Sequence, residues 1–113
     1  MEVCTGPALV SAVMHIVTRS RLAAFWEKHP DSKTSLLLWY KLTVTANWQN
    51  FVKLREFFSS ADQVGNLTIF NIGGNKYRLI AFVDYIYQKV FIRNILAYAE
   101  YDKGDWKKDD WYE

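Results

Sequence analysis

Upstream of Leu67 the apolar positions fall three and four residues apart; from Leu67 onward they fall two apart. The segment MHIVT at 14–18 predicts a short first strand, and residues 1–13, which show neither period, are set aside as a dispensable leader. Thr18 or Ser20 is positioned to cap a helix through Lys28 that puts Leu22, Phe25 and Trp26 on one face. His29-Pro30 ends it, because the residue before proline avoids the α region. Asp31 or Ser32 then caps a second helix with a stripe of Leu36, Trp39, Tyr40 and Thr43 or Val44, ending near Asn47-Trp48. A short helical turn over 50–58 groups Phe51, Leu54 and Phe58 and leaves Lys53, Arg55 and Glu56 outward; 59–66 reads as a polar loop.

The period-two half predicts strands over 67–72, 76–85 and 89–98, with Gly73-Gly74-Asn75 supplying the positive-φ residues of a tight hairpin and a second turn near Tyr87-Gln88. The order β-α-α-β-β-β is that of an α+β domain, a small antiparallel sheet with helices packed on one face. The pleat puts Lys76, Arg78, Ile80, Phe82 and Asp84 on one side of the long strand and Tyr77, Leu79, Ala81, Val83 and Tyr85 on the other. On the last strand Phe91, Arg93, Ile95 and Ala97 alternate with Ile92, Asn94, Leu96 and Tyr98. One sheet face is thus apolar and suits the helices. The other mixes cations with apolar residues, as a half-exposed binding face would.

Composition narrows this picture. A chain of 113 residues, half of them hydrophobic and 17% aromatic, forms one small domain with a modest core. A single cysteine, Cys4, rules out an intramolecular disulfide, and no apolar run reaches the roughly 18–20 residues a membrane helix needs. Glu2 stands where a signal peptide wants a cation, so the protein is read as cytoplasmic, and the Asn66 sequon carries no weight. Residues 14–58 carry seven Lys/Arg against three Asp/Glu, 59–98 four against two, and 99–113 three against six. A basic body with an acidic, aromatic tail over 104–113 is compatible with a polyanionic partner, and the tail is placed to shield or tune that surface.

Reactive side chains are few. One Cys and two distant His give no metal-ligand spacing, and neither a Ser-His nor a Cys-His pair is arranged for nucleophilic catalysis. Gly73-Gly74-Asn75-Lys76 lacks the longer phosphate-loop pattern and is not followed by a helix. What remains is chemistry done with cations, phenols and carboxylates and no cofactor. RNA cleavage qualifies, because the substrate supplies its own nucleophile, the 2′-hydroxyl. Arginine can neutralise the extra phosphate charge, a carboxylate, Tyr or Lys can move protons, and aromatic rings can stack bases. Lys76, Arg78, Arg93, Tyr98, Glu100, Tyr101 and Asp102 fit that list.

From Met14 to about Lys103 the strings MHIVTRSRLAAFWEKHPDSKTSLLLWYK, ANW, SADQVGN, FNIGGNKYRL, IR and AEYD follow one another in an order that resembles the HigB family of RelE-like toxins, and 14–103 is taken as the toxin domain. The resemblance implies a ribosome-associated, metal-independent mRNA endonuclease, neutralised by a HigA-like antitoxin with a helix-turn-helix domain. It assigns Arg78, after the GGN turn, and Arg93, in the last strand, to the phosphate. Glu100, Tyr101 and Asp102 match the terminal acidic-aromatic motif. Lys53, Arg55 and Lys76 are placed as RNA contacts. One position departs: where family members read Thr-His, this chain has Ala97-Tyr98, and a histidine there would carry the side chain that titrates near neutrality. Tyr98 either substitutes for it or marks an attenuated protein. The enzyme reading follows from everything around that position; the alternative is an RNA- and antitoxin-binding module of the same fold.

Overall fold

The computed structural model describes residues 14–113; the leader expected over 1–13 lies outside the described residues. The chain runs β1 (His15–Val17), α1 (Ser20–Lys28), a 3₁₀ turn (Pro30–Ser32), α2 (Lys33–Val44), α3 (Phe51–Phe57), β2 (Asp62–Val64), β3 (Leu67–Ile72), β4 (Tyr77–Asp84), β5 (Lys89–Ala97), α4 (Tyr98–Lys103) and a final 3₁₀ turn (Asp105–Lys108). The five strands are ordered β1-β5-β4-β3-β2. All neighbours are antiparallel except β1 and β5, which run parallel with His15 opposite Lys89, so the sheet is mixed rather than antiparallel throughout. Both edge strands are three residues long, which limits the unpaired backbone offered to another chain.

The helical half forms as its periodicity requires. Leu22 of α1, Leu36 and Trp39 of α2 and Leu54 of α3 are buried against Phe70, Ile72, Leu79, Ala81, Val83, Val90 and Ile92 of the sheet. Trp39, Trp48, Phe58 and Phe70 meet edge-on, with Trp39–Phe70, Trp48–Phe58 and Phe58–Phe70 centroids 5.2–5.9 Å apart. Asn50 caps α3 by accepting from the Lys53 N–H at 3.0 Å. The expected Thr18 cap does not form. Thr18 takes φ 63°, a strained value for a β-branched residue, and its hydroxyl donates to the carbonyls of Val17 and Ile92, fastening the β1–α1 corner to β5. Ser32 is likewise no side-chain cap: its buried hydroxyl donates back to the His29 carbonyl at 2.7 Å.

The polar loop contains a strand, β2, which pairs with β3 through Asp62–Ile69 and Val64–Leu67. On β4 the pleat sorts as expected, with Tyr77, Leu79, Ala81 and Val83 toward the helices. On β5 it does not. A bulge opposite Ile80/Ala81 inserts Arg93 into the ladder, since Asn94 pairs with Ile80 and Ile92 with Ala81. Parity therefore changes along β5: Phe91 and Arg93 face away from the helices, whereas Ile95 and Ala97 pack among them.

The second sheet face is not an open concavity. Its Leu67, Ile69 and Ile80 are covered by Trp106, with Val64, Phe82, Leu96, Tyr101 and Tyr112 around them. The acidic, aromatic tail supplies that cover. Gly104 at φ 80° ends α4 in the left-handed conformation and turns the chain so that Trp106 lands on the sheet.

Candidate functional site

The GGN hairpin and α4 are held together at the end of the sheet, where the Tyr98 N–H donates to the Lys76 carbonyl at 3.0 Å. Gly73 and Gly74, at φ 61° and 68°, make that turn. Because α4 is helical, Tyr98 and Tyr101 stand one turn apart on one side of it. Both rings converge on Arg78, whose guanidinium carbon lies 5.0 Å from the Tyr98 centroid and 5.6 Å from the Tyr101 centroid. A recess of about 370 Å³ opens there, lined by Asn75, Arg78 and Tyr98.

Arg78 is only 9% exposed. Among the described residues its guanidinium makes one hydrogen bond, to the carbonyl of Tyr77 at 3.1 Å. Among the described residues no carboxylate lies within ion-pairing distance of it. A nearly buried cation without a counter-charge is costly unless something else compensates it. Two ring faces do so in part, and the remaining donors point to an anion.

The two tyrosines differ. Tyr98 is half exposed. Tyr101 is stacked on Trp106 at 5.4 Å and 9°. Burial pushes its phenol up, Asp62, Tyr98 and Asp102 add to that, and Arg78 opposes it. The Tyr101 phenol is therefore held in its protonated form at neutral pH.

The other expected residues do not join this recess. Glu100 sits on α4 with its carboxylate 3.3 Å from the Lys103 ammonium. Asp102 is exposed on the same helix. Lys76 pairs with Asp31 at 3.5 Å, and Asp31 accepts a 2.7 Å bond from the Tyr77 hydroxyl, which lowers the Asp31 carboxyl and raises the Tyr77 phenol. Lys53 and Arg55 lie on α3, in the helical layer on the far side of the sheet from Arg78; Lys53 pairs with Glu56 and Arg55 donates to the Ser59 carbonyl.

Arg93 shares a sheet face with Arg78 but is engaged elsewhere. Its Nε and Nη2 donate to the two carboxylate oxygens of Asp109 at 2.9 and 2.8 Å, and Trp111 lies over the guanidinium at 4.2 Å. The hydrogen bond from Arg93 holds the Asp109 carboxyl below the usual range, and the same bond raises Arg93. Asp109 and Trp111 were missed as partners in the sequence reading. The only signal for them was the excess of carboxylates and rings after residue 99. Among the described residues no group of three or more His, Cys, Asp or Glu is gathered in a metal-binding arrangement, and no helix is long and apolar enough to cross a membrane.

The α+β domain with its small five-stranded sheet is compatible with a RelE-like toxin fold, and its relatives among known proteins give the class. A family profile described as HigB toxin, the RelE-like toxic component of a toxin–antitoxin system, matches residues 32–104. The mRNA interferase toxin HigB of Escherichia coli strain K12 is 33% identical over 92 residues, covering 79% of this chain and 88% of that protein. The mRNA interferase HigB of Shigella flexneri matches to the same extent, and that of Escherichia coli O6:H1 is 25% identical over 93 residues. The chain belongs to the HigB toxin family. The matched family region ends at Gly104, so the segment that carries Trp106, Asp109 and Trp111 lies beyond it.

Proposed function

We propose that this protein is the toxin of a type II toxin–antitoxin module and an mRNA endoribonuclease that acts on ribosome-bound messages without a metal ion. The observation that carries the reading is Arg78, a nearly buried guanidinium with no carboxylate partner among the described residues, facing an open recess under Tyr98 and Tyr101. In the reaction the 2′-hydroxyl attacks the adjacent phosphorus, the P–O5′ bond breaks, and the products are a 2′,3′-cyclic phosphate and a free 5′-hydroxyl. The nucleophile loses a proton and the leaving oxygen gains one. Arg78 stabilises the phosphate charge that develops as the attack proceeds. Tyr101, kept protonated by burial, donates to a phosphate or leaving oxygen, while Tyr98, on the open side, meets the substrate first. Asp102 and Glu100 are the carboxylates nearest in sequence that can accept a proton. Arg93 adds a second cation on the same sheet face, and Lys53, Arg55 and Lys76 contact RNA phosphates of message or ribosome. A HigA-like helix-turn-helix antitoxin is the neutralising partner.

The test is expression without antitoxin, followed by mapping of messenger 5′ ends, together with cleavage by the purified protein in EDTA. Arg78→Met, which keeps the bulk and removes the charge, is expected to lower cleavage about 10²- to 10³-fold and to relieve growth inhibition. Cleavage by a folded Arg78→Met protein at the parental rate overturns the assignment.

A further inference from the structure

The tail beyond the family-matched region divides at Lys108. Trp106, 5% exposed, is an anchor in the sheet. In residues 109–113, Asp110, Trp111 and Glu113 are exposed while Tyr112 packs edge-on against Trp106 at 5.7 Å; the segment carries three carboxylates, Asp109, Asp110 and Glu113, with no cation. The side chain of Asn66 secures this segment, donating to the Trp111 carbonyl at 2.5 Å and accepting from the Glu113 N–H at 2.8 Å. Within it, the Trp111 N–H donates to Asp109 at 2.9 Å, which fixes the carboxylate and the indole relative to each other. The carboxylate fills the guanidinium fork of Arg93. The indole covers that guanidinium and packs on Phe82 and Phe91, with centroids 5.7 and 5.2 Å away.

An oxyanion bound two-pronged by arginine, followed by a flat ring laid over the guanidinium and bordered edge-on by aromatic side chains, resembles the contacts a single-stranded nucleotide makes through its phosphate and base. We propose that residues 109–113 are a built-in nucleotide mimic, a strap that occupies an RNA subsite made of Arg93, Phe82 and Phe91 and that an incoming RNA strand displaces. This rests on the reading of the protein as an RNA nuclease. The subsite takes one phosphodiester at Arg93 and one base on the phenylalanine rings. The strap weakens RNA binding until a strand long enough to fill both positions competes with it. The anchor at Trp106 stays docked throughout, so the displaced segment is only the last turn of chain.

The test measures binding of a short fluorescent 2′-O-methyl oligoribonucleotide, which cannot be cut, alongside cleavage of the unmodified RNA. Asp109→Asn, which keeps the shape and frees Arg93, is expected to tighten binding about tenfold, and truncation after Lys108 to do at least as much. Arg93→Gln should abolish the gain in both backgrounds. Asp110→Asn removes the same charge but no hydrogen bond to Arg93, only a weaker Coulombic contribution, and should change affinity by no more than about twofold. Unchanged or weaker binding by a folded Asp109→Asn protein overturns the proposal, as does an equal gain from Asp110→Asn. If no form binds or cuts RNA, the nuclease reading fails, and titration with inorganic triphosphate, followed by tryptophan fluorescence, decides the strap separately. Triphosphate binding that is tighter in Asp109→Asn and lost in Arg93→Gln supports it; binding indifferent to Asp109 overturns it.

Discussion

Replacing Trp106 by alanine should unfold the protein well below the parental temperature, because this one side chain covers most of the second sheet face. A buried tryptophan removes about 150–250 Å² from water, and at about 25 cal/mol per Å² that amounts to ~4–6 kcal/mol as an upper bound. Its ring touches Leu67, Ile69 and Ile80 and stacks on Tyr101, and its Nε1–H donates to the Tyr101 carbonyl at 3.1 Å. Partial collapse of α4 onto the gap recovers some of the loss, so the expected destabilisation is ~3–4 kcal/mol. For a domain of this size each kcal/mol moves the midpoint by about 4–8 °C, so Tm should fall by at least ~12 °C. Trp106→Phe keeps a stacked ring and loses the hydrogen bond, for a loss of ~1–2 kcal/mol. Urea unfolding followed by circular dichroism gives both numbers, and a single transition is expected with the m-value unchanged. A Trp106→Ala protein within ~1 kcal/mol of the parent, or one whose tail melts in a separate early transition, would refute the claim that the tail is part of the sheet's packing.

Two further substitutions probe the site and its support. If Tyr98 works in place of the family histidine, Tyr98→Phe should abolish messenger cleavage with the fold intact and Tyr98→His should be neutral or harmful; if the protein is attenuated, Tyr98→His should raise cleavage without raising Tm, and equal cleavage by all three proteins removes the position from the mechanism. The Tyr77–Asp31 bond lowers the Asp31 carboxyl and raises the Tyr77 phenol, so its stabilisation is fully present above the unfolded Asp value near ~3.9 and below the unfolded Tyr value near ~10. It is lost as pH falls through the lowered Asp31 value or rises through the raised Tyr77 value. The stability difference between the parent and Tyr77→Phe should therefore be flat from about pH 5 to 9 and shrink in acid and in strong base; a difference that persists undiminished at pH 2 would count against the bond.

Much of the molecule was readable because its signals are local and uninterrupted. The α2 stripe of Leu36, Trp39 and Thr43 is buried as its spacing requires, and β4 keeps its parity from Tyr77 to Val83. The Gly-Gly turn needs residues that take positive φ and has them. The failures occur where a long-range contact overrides a local pattern. The β5 bulge has no glycine to announce it, so strict alternation misplaces Ile95 and Ala97. β2 is three largely polar residues whose only support is the ladder to β3. Tyr98 to Asp102 extends an alternating run, yet it turns helical, so Tyr98 and Tyr101 reach Arg78 while Glu100 points to Lys103. Composition marked the arginines of the second face as reactive, but nothing local showed that one would have no carboxylate partner among the described residues and that the other would be clasped by Asp109.

The parallel pairing of β1 with β5 has a consequence in time. His15 lies opposite Lys89, so β1 can pair with β5 only after the chain has been made at least as far as Lys89. At about 5–20 residues per second, several seconds separate synthesis of the two strands. Loop closure over that distance is also among the slower events in folding a small domain. Arg78 gains its two tyrosine lids later still, when α4 and its Trp106 anchor arrive. The recess around Arg78 is therefore completed only after the chain as far as Trp106 has been made.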